Sequence, residues 1–333
     1  MTEYSSNATD TGDLNGERGS PLVSVIIPTY NRAKYVTHAI DSVLAQTYPS
    51  YEIIVVDDGS TDDTRKELAP YMDRIKYIRK EHAGHSAARN TAIRASRGQW
   101  IAFLDSDDAW LPAKLSRQME FLSHCRAKVC FSNIIWNSEE EEKSPRNQLH
   151  WKENDSDEQV FYEPFDLLLF ESVNKVLVTM VVERDLLLRV GCFDERIHRH
   201  VDVRLCFRLA FETPFAYVNQ PLAVVDRRPG LQRVSTERNF DFLKAAYCGN
   251  AITRSEAYLQ SGGKSKRIAK ELRHHLGHYI SQMALLFCLE KSNYHARRFA
   301  LDGLYCGGGW RTYRRCIAVL LCPWLVRRVR KNH

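Results

Sequence analysis

Three stretches of the chain place chemistry-bearing side chains directly after apolar runs. PTYNR (28–32) follows LVSVII, DDGS (57–60) follows YEIIVV, and DSDD (105–108) follows WIAFL. The residue types complement one another. A ring such as Tyr30 can pack against a nucleotide base, and a carboxylate such as Asp57 can accept a base N–H. Arg32 or Arg89 can offset phosphate charge. Asp105, Asp107 and Asp108 pose a separate question, because ionised carboxylates beside a buried strand are costly unless something positive offsets them. A divalent cation held jointly by carboxylate and phosphate oxygens would do so. Taken singly, each stretch also reads as a turn, since Asp-Gly and Asn form turns and Asp caps helices.

The elements that must position these residues follow from hydrophobic periodicity. LVSVII (22–27) is a short β-branched run ended by Pro28, a buried strand. Val36, Ala39, Ile40, Val43 and Leu44 then recur at helical spacing, and YEIIVVDDGS (51–60) is a second strand. Strand, helix, strand within about 35 residues describes a βαβ unit with a parallel sheet and a right-handed crossover. A helix over 62–71 capped by Ser60 or Thr61, a strand at 75–78, a helix at 84–96 and the strand WIAFLDSDD continue the alternation. Its polar residues gather at the strands' C-terminal ends, the edge where open α/β sheets bind ligands.

The second half is less regular. Residues 139–159 are charged and apolar-poor, a loop or an insertion. VCFSNIIW (129–136) and KVLVTMVVE (175–183) read as strands, and residues 236–303 as helical.

The chain has 333 residues, 44% of them apolar, which is enough for a substantial core in one large domain or two. Residues 1–20 are polar and aperiodic, without the basic start and apolar middle of a signal peptide, and read as a disordered cytoplasmic leader. No apolar run reaches the roughly 18 residues of a membrane span. Nine scattered cysteines without a CxxC pair indicate reduced thiols. A dinucleotide-binding GxGxxG, a P-loop and a GxSxG elbow are all absent. His274, His275 and His278 lie at helical spacing without an HExxH pattern, as an exposed polar face would.

Charge is uneven. The net charge is +6, and after Glu290 the chain carries many arginines against the single acidic residue Asp302. CIAVLLCPWLV (316–326), flanked by arginines, is too short to cross a bilayer. It suits peripheral contact with an anionic membrane surface, or a helix packed on the rest of the protein, with Gly307, Gly308 and Gly309 as a hinge. No zinc-finger or RNP-type sequence supports nucleic acid as a partner.

SVIIPTYNR, VVDDGSTDDT and GHSAARNTAIRASRGQWIAFLDSDD together resemble glycosyltransferase family 2 in order and spacing. The likeness is strong over residues 22–120 and weaker to about 235. It implies a GT-A fold: a Rossmann-like, mostly parallel sheet flanked by helices, here spanning 21–235. Within it, 21–125 would bind the nucleotide-sugar and 126–235 the acceptor, with 236–333 a helical C-terminal extension. The resemblance implies inverting transfer from a nucleotide-sugar, UDP-sugar by default, to a saccharide or lipid-linked acceptor, with Mn2+ or Mg2+. Such enzymes often work in polysaccharide synthesis at the cytoplasmic face of the membrane.

Carried over by position, Asp105-Ser106-Asp107 resembles the DxD motif. Asp107 would bind the metal, and Asp105 would face the ribose or the metal's outer sphere. Asp57 resembles the base-binding aspartate, Thr29, Tyr30 and Arg32 the first loop of the nucleotide pocket, and Arg89 an arginine near the base or diphosphate. The base that takes the acceptor's proton lies after a GGFDE-like turn, here GCFDE (191–195), in a helix ending Arg208-Leu209-Ala210. That position is Asp202.

The surrounding HRHVDVRL is a basic version of an acidic motif, which leaves Asp194, Glu195 or His200 as alternatives should Asp202 be tied to Arg199 or Arg204. It also leaves open a catalytically impaired nucleotide-sugar-binding protein. A sugar-nucleotidyltransferase would need a glycine-rich, lysine-bearing loop that PTYNRAKY does not offer. Arg227 and Arg228 are candidate phosphate contacts on a lid over 224–235.

Overall fold

A computed structural model describes residues 20–137, 157–162, 177–197, 201–226, 266–289, 293–306 and 310–321, with the single positions Pro164, Leu168, Thr253 and Ala257. The first half alternates as its periodicity predicts. Strand β1 (Val23–Thr29) leads to helix α1 (Val36–Leu44) and strand β2 (Tyr51–Asp57). A short helix α2 (Thr64–Glu67), strand β3 (Lys76–Arg79) and helix α3 (His85–Ala95) follow, then strand β4 (Trp100–Phe103), the two-residue strand β5 (Ala109–Trp110) and helix α4 (Lys114–His124).

Beyond these lie strands β6 (Val129–Asn137), β7 (Glu158–Phe161) and β8 (Val181–Glu183), helices α5 (Arg184–Arg189) and α6 (Val201–Ala210), and strand β9 (Phe215–Asp226). Three helices come last: α7 (Lys266–Leu289), α8 (Asn293–Cys306) and α9 (Trp310–Leu321).

All nine strands form one mixed sheet in the order β3-β2-β1-β4-β8-β6-β9-β5, with β7 also paired to β9. Strands β1 to β4 pair in parallel, β8 enters antiparallel, and β6 runs parallel to β9. A register shift between Ser132 and Ile134 interrupts the β6–β9 ladder. Irregularities of this kind bend a sheet. Successive residues of β1 alternate between two apolar layers. Ile26 joins Ile54, Ile101, Phe103 and the inner face of α6, whereas Val25 and Ile27 join Val36, Ile40, Val43 and α4. Burial on both faces explains why β1 and β2 read as continuous hydrophobic runs. Ile268 and Leu272 of α7 belong to the first layer, so this helix docks on the sheet domain.

Four local expectations are corrected. The helix expected over 62–71 is only one turn of α-helix followed by a 3-10 turn at Ala69–Tyr71. Pro70 lacks the N–H that a continuing helix needs. Ser60 and Thr61 do not cap it; they bind Asn31 instead. KVLVTMVVE is not one strand, since Leu177–Thr179 is a 3-10 turn and only Val181–Glu183 is extended. Side chains, not a strand neighbour, satisfy the carbonyls there. The Trp110 indole donates to Val178 O (2.9 Å) and the Gln118 amide to Thr179 O (2.8 Å). Residues 158 and 159, expected in a loop, belong to β7 and pair with Val218 and Tyr217.

Among the described residues no helix is long and apolar enough to cross a membrane, and every described cysteine is a free thiol. Cys316 and Val319 of α9 are buried against Ala284, Cys288, Ala296 and Ala300 of α7 and α8. The inner face of the basic tail therefore packs as a helix, while Tyr313 and Ile317 stay exposed. Residues 1–19, expected as a leader, the glycines 307–309, Arg227 and Arg228 of the expected lid, and the tail from 322 lie outside the described residues, as do Arg199 and His200.

Candidate active site

The C-terminal ends of β1 and β2 are laced together by their loops. Asn31, with φ 52° in the left-handed region that Asn tolerates, receives the Thr61 N–H on its side-chain oxygen (2.8 Å). The Asn31 N–H donates to Ser60 Oγ (2.9 Å), and the Arg32 N–H to Thr64 Oγ1 (3.0 Å). Gly59 turns the second loop at φ 84°, a backbone state that side chains oppose. Thr29 is 3% exposed, and its Oγ1 has no hydrogen-bond partner among the described residues.

Asp57 lies at the end of β2 and is 1% exposed. Its carboxylate accepts the Ser60 N–H (2.7 Å) and the Tyr77 hydroxyl (2.7 Å). Burial, reinforced by this carboxylate, pushes the Tyr77 phenol up to about 12, so Tyr77 remains a donor. A carboxylate has lone pairs for further bonds, but Asp57 is already anchored.

The adjacent Asp58 carries more partners, and the sequence did not single it out. Its carboxylate takes Lys80 Nζ (2.8 Å), His82 Nδ1 (2.9 Å) and the N–H groups of Ala83 (3.1 Å) and Gly84 (2.7 Å). This pins the segment that leads into α3. His82 in turn stacks on Tyr30, with ring centroids 4.1 Å apart and planes 26° from parallel.

Helix α3 supplies the bridge to the second half. Arg89 is 6% exposed; it donates to Asp105 Oδ1 at 2.5 Å and lies over the Phe193 ring. Asn90, the next residue, holds the GCFDE turn. Its amide nitrogen donates to Phe193 O (2.9 Å) and Glu195 Oε1 (2.8 Å), and its oxygen accepts the Phe193 N–H (3.0 Å). Neither Asn90 nor Glu195 as its partner was legible in sequence.

The three acidic candidates for the base now separate. Asp194 binds Arg196 (2.8 Å) and Arg204, and these contacts, Arg196 foremost, hold its carboxyl well below the usual range. Glu195 is engaged by Asn90. Asp202, in the first turn of α6, forms no ion pair among the described residues. Burial pushes its carboxyl up, with the positive charge of Arg89 opposing and the negative charge of Asp105 reinforcing the shift. Arg89, Asp105 and Asp202 thus share one electrostatic neighbourhood, although 113 positions separate the first from the last.

Asp107 is half-buried on the loop between β4 and β5. Asp108 is 7% exposed and accepts the Asp226 N–H (3.1 Å), so it fastens this loop to β9 instead of capping α4. Among the described residues no three His, Cys, Asp or Glu side chains are grouped to hold a cation unaided. Asp105 and Asp107 still offer hard oxygen donors. Those fit Mg2+ or Mn2+ where phosphate oxygens and water complete the coordination.

A family model described as Glycosyl transferase family 2 matches residues 24–184. An uncharacterized glycosyltransferase of Rickettsia prowazekii is 33% identical over 222 residues, 66% of this chain and 68% of that protein. The chain belongs to glycosyltransferase family 2. The transferase is also 46% identical over 114 residues to the Escherichia coli UDP-Glc:alpha-D-GlcNAc-diphosphoundecaprenol beta-1,3-glucosyltransferase, covering 34% of this chain and 45% of that one.

Among solved structures, S. aureus TarS 1-349 in complex with UDP-GlcNAc superposes with a TM-score of 0.65 at 16% identity, over 93% of this chain and 91% of that fragment. A Pyrobaculum calidifontis mannosyltransferase in complex with GDP-Man and Mn2+ gives 0.54 at 18% identity, over 94% and 88%. These likenesses establish the GT-A fold of the transferase.

Proposed function

We propose that this glycosyltransferase moves a sugar from a UDP-sugar to a hydroxyl of a saccharide or lipid-linked acceptor, with inversion at C1, in polysaccharide synthesis. The observation that carries the reading is the convergence of Arg89, Asp105 and Asp202 from three separated stretches. Arg89, paired with Asp105, would offer positive charge to a diphosphate near a carboxylate whose proton affinity burial raises, which supports the reading. The names of the Escherichia coli and S. aureus proteins support a UDP donor, and the former supports a diphosphate-linked lipid acceptor.

In this reading Tyr30, Thr29 and Asp57 receive the nucleotide, and Arg32 and Arg89 balance diphosphate charge. Asp107, with Asp105 beside it, would hold Mn2+ or Mg2+. A bound cation supplies Lewis-acid stabilisation of the departing diphosphate. Asp202 accepts the proton of the acceptor hydroxyl as its oxygen bonds to C1 and the C1–phosphate bond breaks. A carboxylate with a raised pKa suits that work better than Asp194, whose arginine partners make it a weak base. Arg204 sits on Asp194, so the basic HRHVDVRL motif leaves Asp202 available.

The exposed face of α9, with Arg311, Arg314, Tyr313 and Ile317, would meet an anionic membrane surface peripherally at the cytoplasmic side.

Donor turnover over a panel of UDP-, GDP- and dTDP-sugars, with Mn2+ and with EDTA, tests the proposal. UDP-sugar turnover abolished by EDTA and by Asp107→Ala, with the variant still folded by circular dichroism, is the expected result. EDTA-resistant turnover by Asp107→Ala would overturn the metal assignment, and turnover of GDP- or dTDP-sugars alone would overturn the donor.

A further inference from the structure

Tyr30 and His82 are two partly exposed aromatic rings that face each other at the sheet edge where β1 and β2 end. Tyr30 is 40% exposed and the His82 side chain 55%, yet the two stack at 4.1 Å instead of turning separately into solvent. The tyrosine follows a strand end and has no other ring contact among the described residues. The histidine is held from behind at two points, its Nδ1 lying 2.9 Å from Asp58 Oδ2 and 3.1 Å from Asp58 O.

Asp58 is itself immobilised. Its own N–H donates to Thr29 O (2.9 Å), and its carboxylate also takes Lys80, Ala83 and Gly84. A chain of fixed contacts therefore runs from the backbone of β1, through Asp58 and the His82 ring, to the Tyr30 ring.

We infer that His82 is a positioning residue of the donor pocket, holding the Tyr30 ring as a preformed platform for the nucleotide base. The inference rests on the donor reading above and adds a residue to it. A lone surface tyrosine must lose rotamer freedom when a planar ligand stacks on it, and that loss weakens binding. A ring already stacked on an anchored neighbour has lost it beforehand. Stacking is also tolerant of base identity because every base has a π-face. His82 thus sets the strength of nucleotide binding, while Asp57 and its neighbours are left to discriminate among bases. The geometry admits a rival with the opposite sign, in which His82 covers the place the base should take and must be displaced.

Calorimetric titration of the full chain with UDP, for wild type, His82→Ala and His82→Phe, separates these. His82→Ala should weaken UDP binding about two- to tenfold, the equilibrium equivalent of one aromatic pair. His82→Phe, which keeps a stacking ring but loses the anchor on Asp58, should bind UDP more tightly than His82→Ala and more weakly than wild type. At saturating donor, kcat should be unchanged in both variants, so that the effect appears in KM alone. Unchanged binding by His82→Ala would overturn the inference, and tighter binding would establish the plug. Binding by His82→Phe no tighter than by His82→Ala would show that a stacked ring at this position contributes nothing, which also overturns the platform. If wild type binds no UDP while GDP or dTDP binds, the UDP assignment fails, and the same three proteins test the platform with the nucleotide that does bind. If none binds, the donor reading falls and the inference with it.

Discussion

The Asn90 amide holds the Glu195 carboxylate at 2.8 Å across 105 positions of sequence, joining helix α3 to the turn that precedes α6. With the two bonds to the Phe193 backbone, one buried side chain fixes the distance between the two halves of the site. Asn90→Ala would strand a buried N–H and a carbonyl, so it should destabilise the protein by about 2–3 kcal/mol. Urea unfolding measures this. The same variant should lose kcat more than donor affinity, because Arg89 and the donor loops keep their own contacts. An unchanged urea midpoint would mean that the turn is held by other means.

Asp202→Asn keeps shape and hydrogen bonding but removes the proposed base, so transfer should fall by roughly 10²–10⁴-fold with UDP affinity intact. In wild type, activity should fall as pH drops through the raised Asp202 pKa, with a midpoint above the ordinary carboxylate value near about 3.9. The stability effect has the opposite sense. Because burial raises this pKa, the folded state holds the proton more tightly than the unfolded chain. Stability is therefore lost as pH rises through that window. At pH 7 Asp202→Asn should unfold later in urea than wild type while being nearly inactive. A variant that transfers sugar at the wild-type rate would return the search to Glu195.

Lys114 gives a second pH signature. It is 0% exposed, donates to Gln118 Oε1 (2.8 Å), lies 4.1 Å from the Trp110 ring centroid, and burial lowers its pKa to about 7. The unfolded chain binds a proton here up to about pH 10.4. Between these values the unfolded state carries more protons, and stability should rise with pH. Lys114→Met should flatten that rise. The difference in urea midpoint between the two proteins at pH 7 and pH 9 checks it, since other groups titrate alike in both. Parallel slopes would refute a neutral buried lysine.

The tail can be tested without removing it. Deleting α9 would expose Ala284, Cys288, Ala296 and Ala300, which Cys316 and Val319 cover, so a truncation would confound folding with docking. Arg311→Glu with Arg314→Glu alters only exposed positions. Each basic residue near an anionic surface contributes on the order of 1 kcal/mol, so the double variant should leave anionic liposomes in a flotation assay while keeping donor turnover. Equal flotation of both proteins, or none by wild type, would remove the membrane from the reading.

The legible parts of the fold were those whose signals are local. β1, α1 and β2 show as apolar runs bounded by turn residues because both faces of the sheet are covered, and α3 shows in the SAARNTAIR pattern. KVLVTMVVE misled because its carbonyls are satisfied by Trp110 and Gln118, residues whose reach the run itself does not encode. In the site, Arg89, inside α3, was marked by its charge and by the family resemblance, whereas Asp57 and Asp105 were singled out by strand-end position. It could not rank Asp57 above Asp58, since adjacent residues of one type differ only in the direction they face. Asn90 carried no signal at all. A polar residue inside a helix is ordinary, and its partners at Phe193 and Glu195 come from another part of the chain.

Strand β5 is only two residues long and pairs with Ala223 and Val224 of β9, while Asp108 receives the Asp226 N–H from 118 positions away. The aspartate loop is therefore bracketed by a strand that leaves the ribosome long after it. A nascent chain ending near residue 120 could zip β1, β2 and β4 side by side, yet its DSDD segment would hang without its outer rail. Closing so large a loop is slow. Competence to handle a sugar nucleotide should then be acquired late in synthesis and all at once, and an interrupted translation product would leave a half-sheet with no working cleft.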